Sequence, residues 1–126
     1  MGTYDIAVIG SGAGLNIASQ AASEGLSVAL FDKGLAGGTC LNVGCIPSKL
    51  LISVADRIQE INEAEKFGIK SKISEINFGK IMAYMKDHVE DDRKLIEVSL
   101  KRSANPSFFS EETYFLDNYT LFPDSH

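Results

Sequence analysis

The sequence predicts an α/β fold built on parallel strands. Three observations carry that expectation. YDIAVI, from Tyr4 to Ile9, runs directly into a glycine-rich turn; a helical pattern follows; and LSVALF, from Leu26 to Phe31, forms a second apolar run. Short β-branched runs that end in glycine read as buried parallel strands, because strands covered on both faces need no polar alternation.

Each further element has its own signal. Between about Leu15 and Glu24, Ile17, Ala18, Ala21 and Ala22 share one helical face, and Gly25 supplies a left-handed residue at its end. From Pro47 the apolar residues Leu50, Leu51, Val54, Ala55, Ile58 and Ile61 recur every three or four positions, predicting a helix to about Glu65 with Gly68 beyond it. A second amphipathic pattern starts near Phe78 and continues through Ile81, Met82, Met85, Val89, Ile96 and Leu100. These two helices are expected to pair as a hairpin. After Pro106, Ser107 to Phe109, Thr113 to Leu116 and Tyr119 to Phe122 read as short strands, with a turn at Asp117-Asn118. No internal repeat, linker or low-complexity segment interrupts this order.

Composition narrows the class. A chain of 126 residues, 44% hydrophobic, has the core of one domain and not of two. The net charge is −5 and no Lys/Arg cluster tracks a phosphate backbone, which argues against nucleic acid as a partner. The first residues lack a basic stretch followed by a long apolar run, and no apolar segment is read as approaching membrane-spanning length. The expectation is a soluble, cytoplasmic chain with no membrane partner.

Gly10, Gly12 and Gly14 follow a strand and open a helix. In that context Gly10 permits a tight turn and Gly12 lets backbone approach a pyrophosphate, whose charge the helix N-terminus favours. Asp32, at the end of the second strand, can accept a hydrogen bond from a ribose 2′-hydroxyl and would repel a 2′-phosphate. FAD or NAD fits such a site. The third glycine of the G-x-G-x-x-G pattern is replaced by Leu15, so helix and sheet are expected to stand slightly further apart. The alternative is a glycine-rich turn without a ligand.

GGTCLNVGCIPSK, from Gly37 to Lys49, holds both cysteines, Cys40 and Cys45. On an unbroken α-helix five residues rise about 7.5 Å and point the two side chains to different faces, beyond the ~6.8 Å Cα separation a disulfide tolerates. Gly44 supplies backbone freedom, and Pro47 clashes with the carbonyl of Val43, so the segment can bend into bridging geometry. So short a loop stabilises little, which favours redox exchange as its purpose. A helix starting near position 45 would also favour a Cys45 thiolate. Inert thiols and half of a zinc site remain as alternatives, the latter with only His88 and His126 to complete it.

The run GGTCLNVGCIPSK, downstream of VIGSGAG and an acidic strand end, resembles the pyridine nucleotide-disulfide oxidoreductases. It is most similar to their dihydrolipoamide dehydrogenase branch, with mercuric, glutathione and mycothione reductases as relatives. The resemblance extends over essentially the whole chain. It implies the N-terminal portion, residues 1–126, of a Rossmann-type FAD-binding domain, with a long helical hairpin insertion and the start of a β-meander. Gly10, Gly12 and Asp32 would hold the ADP part of FAD, with Ser11, Ala13, Gly14 and Lys33 beside them as cofactor-binding residues. Gly38 and Thr39 would lie near the phosphates and ribityl chain. Cys45 would stand against the flavin, Cys40 would exchange with substrate, and Lys49 would approach the flavin N5 region.

The resemblance further implies electron transfer between NAD(P)H, FAD, the Cys40–Cys45 disulfide and a dithiol or disulfide substrate, a lipoyl group first among them. Family members are several times longer and act as homodimers. The expectation is therefore a chain without the nicotinamide and interface domains, with little turnover alone. The competing expectations are a stand-alone, non-catalytic FAD or nucleotide-binding module and a degenerate product.

Overall fold

The computed structural model describes residues 2–124. Its order is β1 (Ile6–Ile9), α1 (Ala13–Ser23), β2 (Val28–Phe31), α2 (Gly38–Val43), α3 (Cys45–Glu63), a 3₁₀ turn (Ala64–Phe67), α4 (Phe78–Arg102), β3 (Ser107–Phe109), β4 (Glu112–Asp117) and β5 (Thr120–Asp124). β1, β2 and β3 form one parallel sheet in that order, and β4 pairs with β5 as a separate antiparallel hairpin. The architecture is a partial Rossmann-type domain, as the sequence predicts.

Register decides which side chains reach the core. Ile6 and Val8 lie opposite Val28 and Leu30, and Leu30 lies opposite Phe108, so one face of the sheet carries a continuous apolar row. Ala18 and Ala21 of α1 and Leu100 of α4 cover that row, with Leu15 and Ile96 packed around them. Alanines let α1 lie close to the strands. Every residue of β2 is buried, and removing Leu30 alone from water is worth about 1.5–3 kcal/mol.

The expectation of two buried strands holds for β2 and is corrected for β1. β1 is an edge strand whose residues alternate, with Ala7 exposed and Ile9 52% exposed on the face away from α1. Ser107 to Phe109 is a strand as expected and extends the parallel sheet, while β4 and β5 are antiparallel. The Phe31 and Phe109 rings stack at 4.9 Å across this pairing. The hairpin turn lies one position later than expected, at Asn118-Tyr119, because the Asp117 carboxylate accepts the Tyr119 N–H at 2.8 Å. Asn105 fastens the start of β2, accepting the Val28 N–H at 3.0 Å and donating to the Leu26 carbonyl at 2.8 Å.

α3 and α4 pair as the predicted hairpin. Asn77 caps α4 by accepting the Lys80 N–H at 2.9 Å, and Lys101 and Arg102 sit in its last turn, where the helix dipole favours cations. Gly68, left-handed at φ 79°, ends the 3₁₀ turn that follows α3. One expectation about this region is corrected: Gly38–Phe67 is long and apolar enough, by length and composition, to cross a membrane. Three features weigh against reading it as a span. Gly44 breaks it into α2 and α3, and Asp56, Arg57, Glu60 and Glu63 charge its second half, while Val54 and Ile58 face α4 across a groove.

Candidate functional site

The turn between β1 and α1 is shaped by backbone that only glycine adopts freely. Gly10 has φ 98° and donates its N–H to the Phe31 carbonyl at 2.7 Å, tying the turn to the end of β2. Gly14 supplies the close helix–strand approach that the sequence reading assigned to a third glycine and missed. A Cβ at position 14 would lie 2.7 Å from Val8 Cγ1. The expected looser packing at Leu15 is thus corrected: Leu15 packs against the core and Gly14 makes the contact.

Asp32 is held from three directions. Its Oδ2 accepts the Ser11 N–H at 2.7 Å and the Ser11 hydroxyl at 2.5 Å, and its Oδ1 accepts the Gly34 N–H at 2.8 Å. Burial pushes its pKa up, but the Ser11 hydroxyl, the Ser11 N–H and the Gly34 N–H together outweigh that and hold it below the ordinary carboxylate value. The carboxylate is therefore charged, with an acceptor position left on Oδ1.

The cysteine segment leans on the same turn. A Cβ at Gly38 would stand 2.6 Å from Gly12 Cα, so the start of α2 lies backbone against backbone on the glycine turn. Gly37 donates its N–H to Ser11 Oγ at 3.1 Å, and the Asn42 amide donates to the carbonyls of Ala36 at 3.0 Å and Gly38 at 2.9 Å. Gly44 then interrupts the helix, as its sequence suggests: α2 ends at Val43 and α3 begins at Cys45. A Cβ at Gly44 would meet the Thr39 carbonyl at 3.0 Å and Cys40 Cα at 3.3 Å, so the close return of the chain needs glycine here. Pro47 falls in the first turn of α3, where its missing N–H costs nothing.

Cys40 and Cys45 are both exposed free thiols. They are near enough to act on one another. Hydrogen bonding with the Cys45 side chain, then desolvation and the charge of Cys45, raise the Cys40 thiol above its ordinary value; the Cys45 backbone and the Lys49 ammonium pull it down less strongly. Cys45 is the first residue of α3, and Lys49, one turn on, shares its face.

One cleft of about 850 Å³ gathers Gly10, Ser11, Gly12, Ala13, Gly14, Asp32, Gly38, Thr39 and Cys40. Three predicted residues are not in its wall: Cys45, Lys49 and Lys33, the last paired with Glu112 in an exposed ion pair. The wall also includes Leu41 and Ile46, which the family resemblance singled out as leaning toward the lipoamide type, and Asn16, which the sequence did not mark. Nothing in its spacing marks Asn16; it reaches the cleft because α1 and α2 converge at Gly12 and Gly38. Among the described residues no cluster of His, Cys, Asp or Glu could hold a metal, and His126 lies outside them.

A glycine turn, a charged strand-end carboxylate and a dithiol loop on one cleft define a family-level pattern. The sequence profile described as pyridine nucleotide-disulphide oxidoreductase matches residues 4–117. The chain belongs to this family. Within it, the chain is 37% identical over 115 residues to dihydrolipoyl dehydrogenase of Geobacillus stearothermophilus, covering 90% of this chain and 24% of that protein. It is 46% identical over 87 residues to dihydrolipoyl dehydrogenase of Chlamydia trachomatis, covering 68% of this chain and 18% of that protein. Mycothione reductase of Mycobacterium tuberculosis matches at 37% over 83 residues, covering 66% and 18%. The chain spans about a quarter of the length of the dihydrolipoyl dehydrogenases it matches.

Proposed function

We propose that the chain is the FAD-binding, dithiol-bearing part of a disulfide oxidoreductase of the dihydrolipoamide dehydrogenase type, working in the cytoplasm. The observation that carries this is a single cleft lined by the glycine turn, Asp32 and Cys40. Its volume and its mixed apolar and polar wall suit a dinucleotide. A Cβ built at Gly12 would meet only Gly38 Cα, at 3.4 Å, so backbone at the start of α1 stays open to a phosphate, while the Gly10 N–H is already given to the Phe31 carbonyl and shapes the turn. Asp32 would take a ribose hydroxyl on Oδ1. FAD, when bound, would exchange the electron pair with the thiols, and NAD(P)H would supply or remove it in the complete enzyme, which by family resemblance is a homodimer.

The thiol chemistry belongs to the chain itself. Once the Cys40 proton is lost, against the Cys45 contact that holds it and with the weaker help of the Lys49 charge, the Cys40 thiolate attacks a substrate disulfide and forms a mixed disulfide, releasing one substrate thiol. The Cys45 sulfur then attacks Cys40, closes the intramolecular bridge and releases the second. Two electrons leave the cysteine pair and two thiols form on the substrate. A lipoyl group is the substrate this reading favours, and its dithiol form drives the same steps in reverse. Lys49 and Cys45 share a helical face that would turn toward the flavin.

The test pairs binding with redox. Titrating the 126-residue chain with FAD and with ADP should quench or shift fluorescence and raise the melting temperature, and a glutathione redox series should convert both thiols to one intramolecular disulfide. Loss of that disulfide in Cys40→Ser and in Cys45→Ser completes the expected pattern. A second reading, a nucleotide-binding module without electron transfer, draws on the position of Cys45 and Lys49 outside the cleft wall. Ligand binding with thiols that never pair would select it, and absence of both responses overturns the two together.

A further inference from the structure

Ser11 is the one fully buried polar residue among the described residues, 1% exposed, and its hydroxyl stands between two segments distant in sequence. The hydroxyl donates to Asp32 Oδ2 at 2.5 Å and accepts the Gly37 N–H at 3.1 Å. These two bonds are not equivalent. Without the hydroxyl, Asp32 would still hold the N–H groups of residue 11 and of Gly34. No backup acceptor of comparable length is seen for the Gly37 N–H. The contribution that only the hydroxyl makes is therefore to the loop at Gly37, which leads into α2 and, three residues on, to Cys40.

We propose that Ser11 is a positioning residue that seats the Cys40-bearing α2 on the glycine turn, so that removing its hydroxyl alters Cys40 and spares Cys45. The steric evidence runs the same way. A Cβ at Gly38 would stand 2.6 Å from Gly12 Cα and 3.0 Å from Gly12 N, so α2 has one way to lie against the turn. Cys45 belongs to α3, beyond the break at Gly44. A loosened α2 separates Cys40 from Cys45 and weakens the thiol contact that holds the Cys40 proton. Its significance rests on the cleft being a nucleotide site: a buried hydroxyl would then tie the carboxylate at the ribose end to the thiol at the other end.

The experiment measures alkylation of the two thiols separately, by mass spectrometry after timed iodoacetamide pulses, in the full chain and in Ser11→Ala and Ser11→Thr. In Ser11→Ala, Cys40 should react faster than in the parent by about threefold or more, the equivalent of one modest hydrogen bond, with Cys45 essentially unchanged. Ser11→Thr, which keeps the hydroxyl, should return Cys40 toward the parent rate. A merely structural role would accelerate both thiols together through global opening, and that result, or an unchanged Cys40, overturns the proposal. Should Ser11→Ala fail to fold, hydrogen exchange in the parent decides: the Gly37 amide must be protected, and exchange at the rate of an open amide overturns it. ADP titration of the parent keeps the two ideas apart, because absence of ADP binding defeats the nucleotide reading while the alkylation ratio still judges Ser11.

Discussion

Gly38→Ala tests the packing of α2 on the glycine turn most directly. Two costs apply at this position. The backbone is left-handed at φ 65°, which a Cβ penalises by about 1–2 kcal/mol. The new Cβ also meets backbone, Gly12 Cα at 2.6 Å and Gly12 N at 3.0 Å, and no rotamer change relieves that contact. Overpacking of this kind typically costs a further ~1–3 kcal/mol. Gly68→Ala is the matched control, with φ 79° and nothing within 4 Å of its Cβ.

Both substitutions restrict the unfolded chain equally, so that contribution cancels between them. The expected losses are about 1–2 kcal/mol for Gly68→Ala and about 2–5 kcal/mol for Gly38→Ala. With an unfolding entropy of roughly 2.1 cal/mol/K per residue, each kcal/mol lowers the melting temperature by about 4 °C in a chain of this length. Urea melts give the difference at constant temperature, and ADP titration should weaken only in Gly38→Ala. If the two variants melt together within about 0.5 kcal/mol, a spread typical of unimportant surface changes, the backbone contact between Gly38 and Gly12 contributes nothing.

Other outcomes follow from the same geometry. Asp32→Asn should destabilise the chain by ~1–3 kcal/mol at neutral pH. Because the folded carboxylate lies below its ordinary value of 3.8, that gap is full above this value and closes as pH falls through the lower folded value, which urea melts across pH 3–7 would follow; a gap independent of pH contradicts the assignment. Asn105→Ala removes both side-chain bonds to the start of β2 and should cost about 1–3 kcal/mol by chemical denaturation. Cys45→Ala removes the group that raises the Cys40 thiol most, so the alkylation midpoint of Cys40 should move to lower pH in rate–pH profiles. An unmoved midpoint would mean that the two thiols do not interact.

What the sequence made legible, and what it did not, divides along physical lines. Periodicity located the helices and strands because burial imposes periods of 3.6 and 2 on the chain itself, and α1, α3 and α4 appear where apolar residues repeat. Periodicity does not report which neighbours a strand will have. Tyr4 to Ile9 and Leu26 to Phe31 read alike, yet β2 gains partners on both sides and β1 on only one among the described residues, which exposes Ile9. Asp117 displaced the hairpin turn through a side-chain bond that composition cannot rank against its competitors.

The cleft shows the same division more sharply. Gly10, Gly12 and Asp32 announced themselves by spacing along one β-α-β unit, where sequence distance and spatial distance stay linked. Ser11 was readable only as a neighbour of the cofactor by resemblance; its tie between two loops was not, because its partners Asp32 and Gly37 lie 21 and 26 residues away. The G-x-G-x-x-G spacing points to position 15 for close packing, whereas Gly14 makes the contact with Val8, because that contact depends on how α1 leaves Gly12. Gly44 joins the two scales. Its effect on helix continuity is local and was readable, but its tolerance of Thr39 and Cys40 at 3.0 and 3.3 Å arises only once α2 has folded back. The five-residue spacing of the thiols therefore folds back on itself through a missing Cβ at Gly44, and the same absence at Gly38 brings the Cys40 segment against the glycine turn.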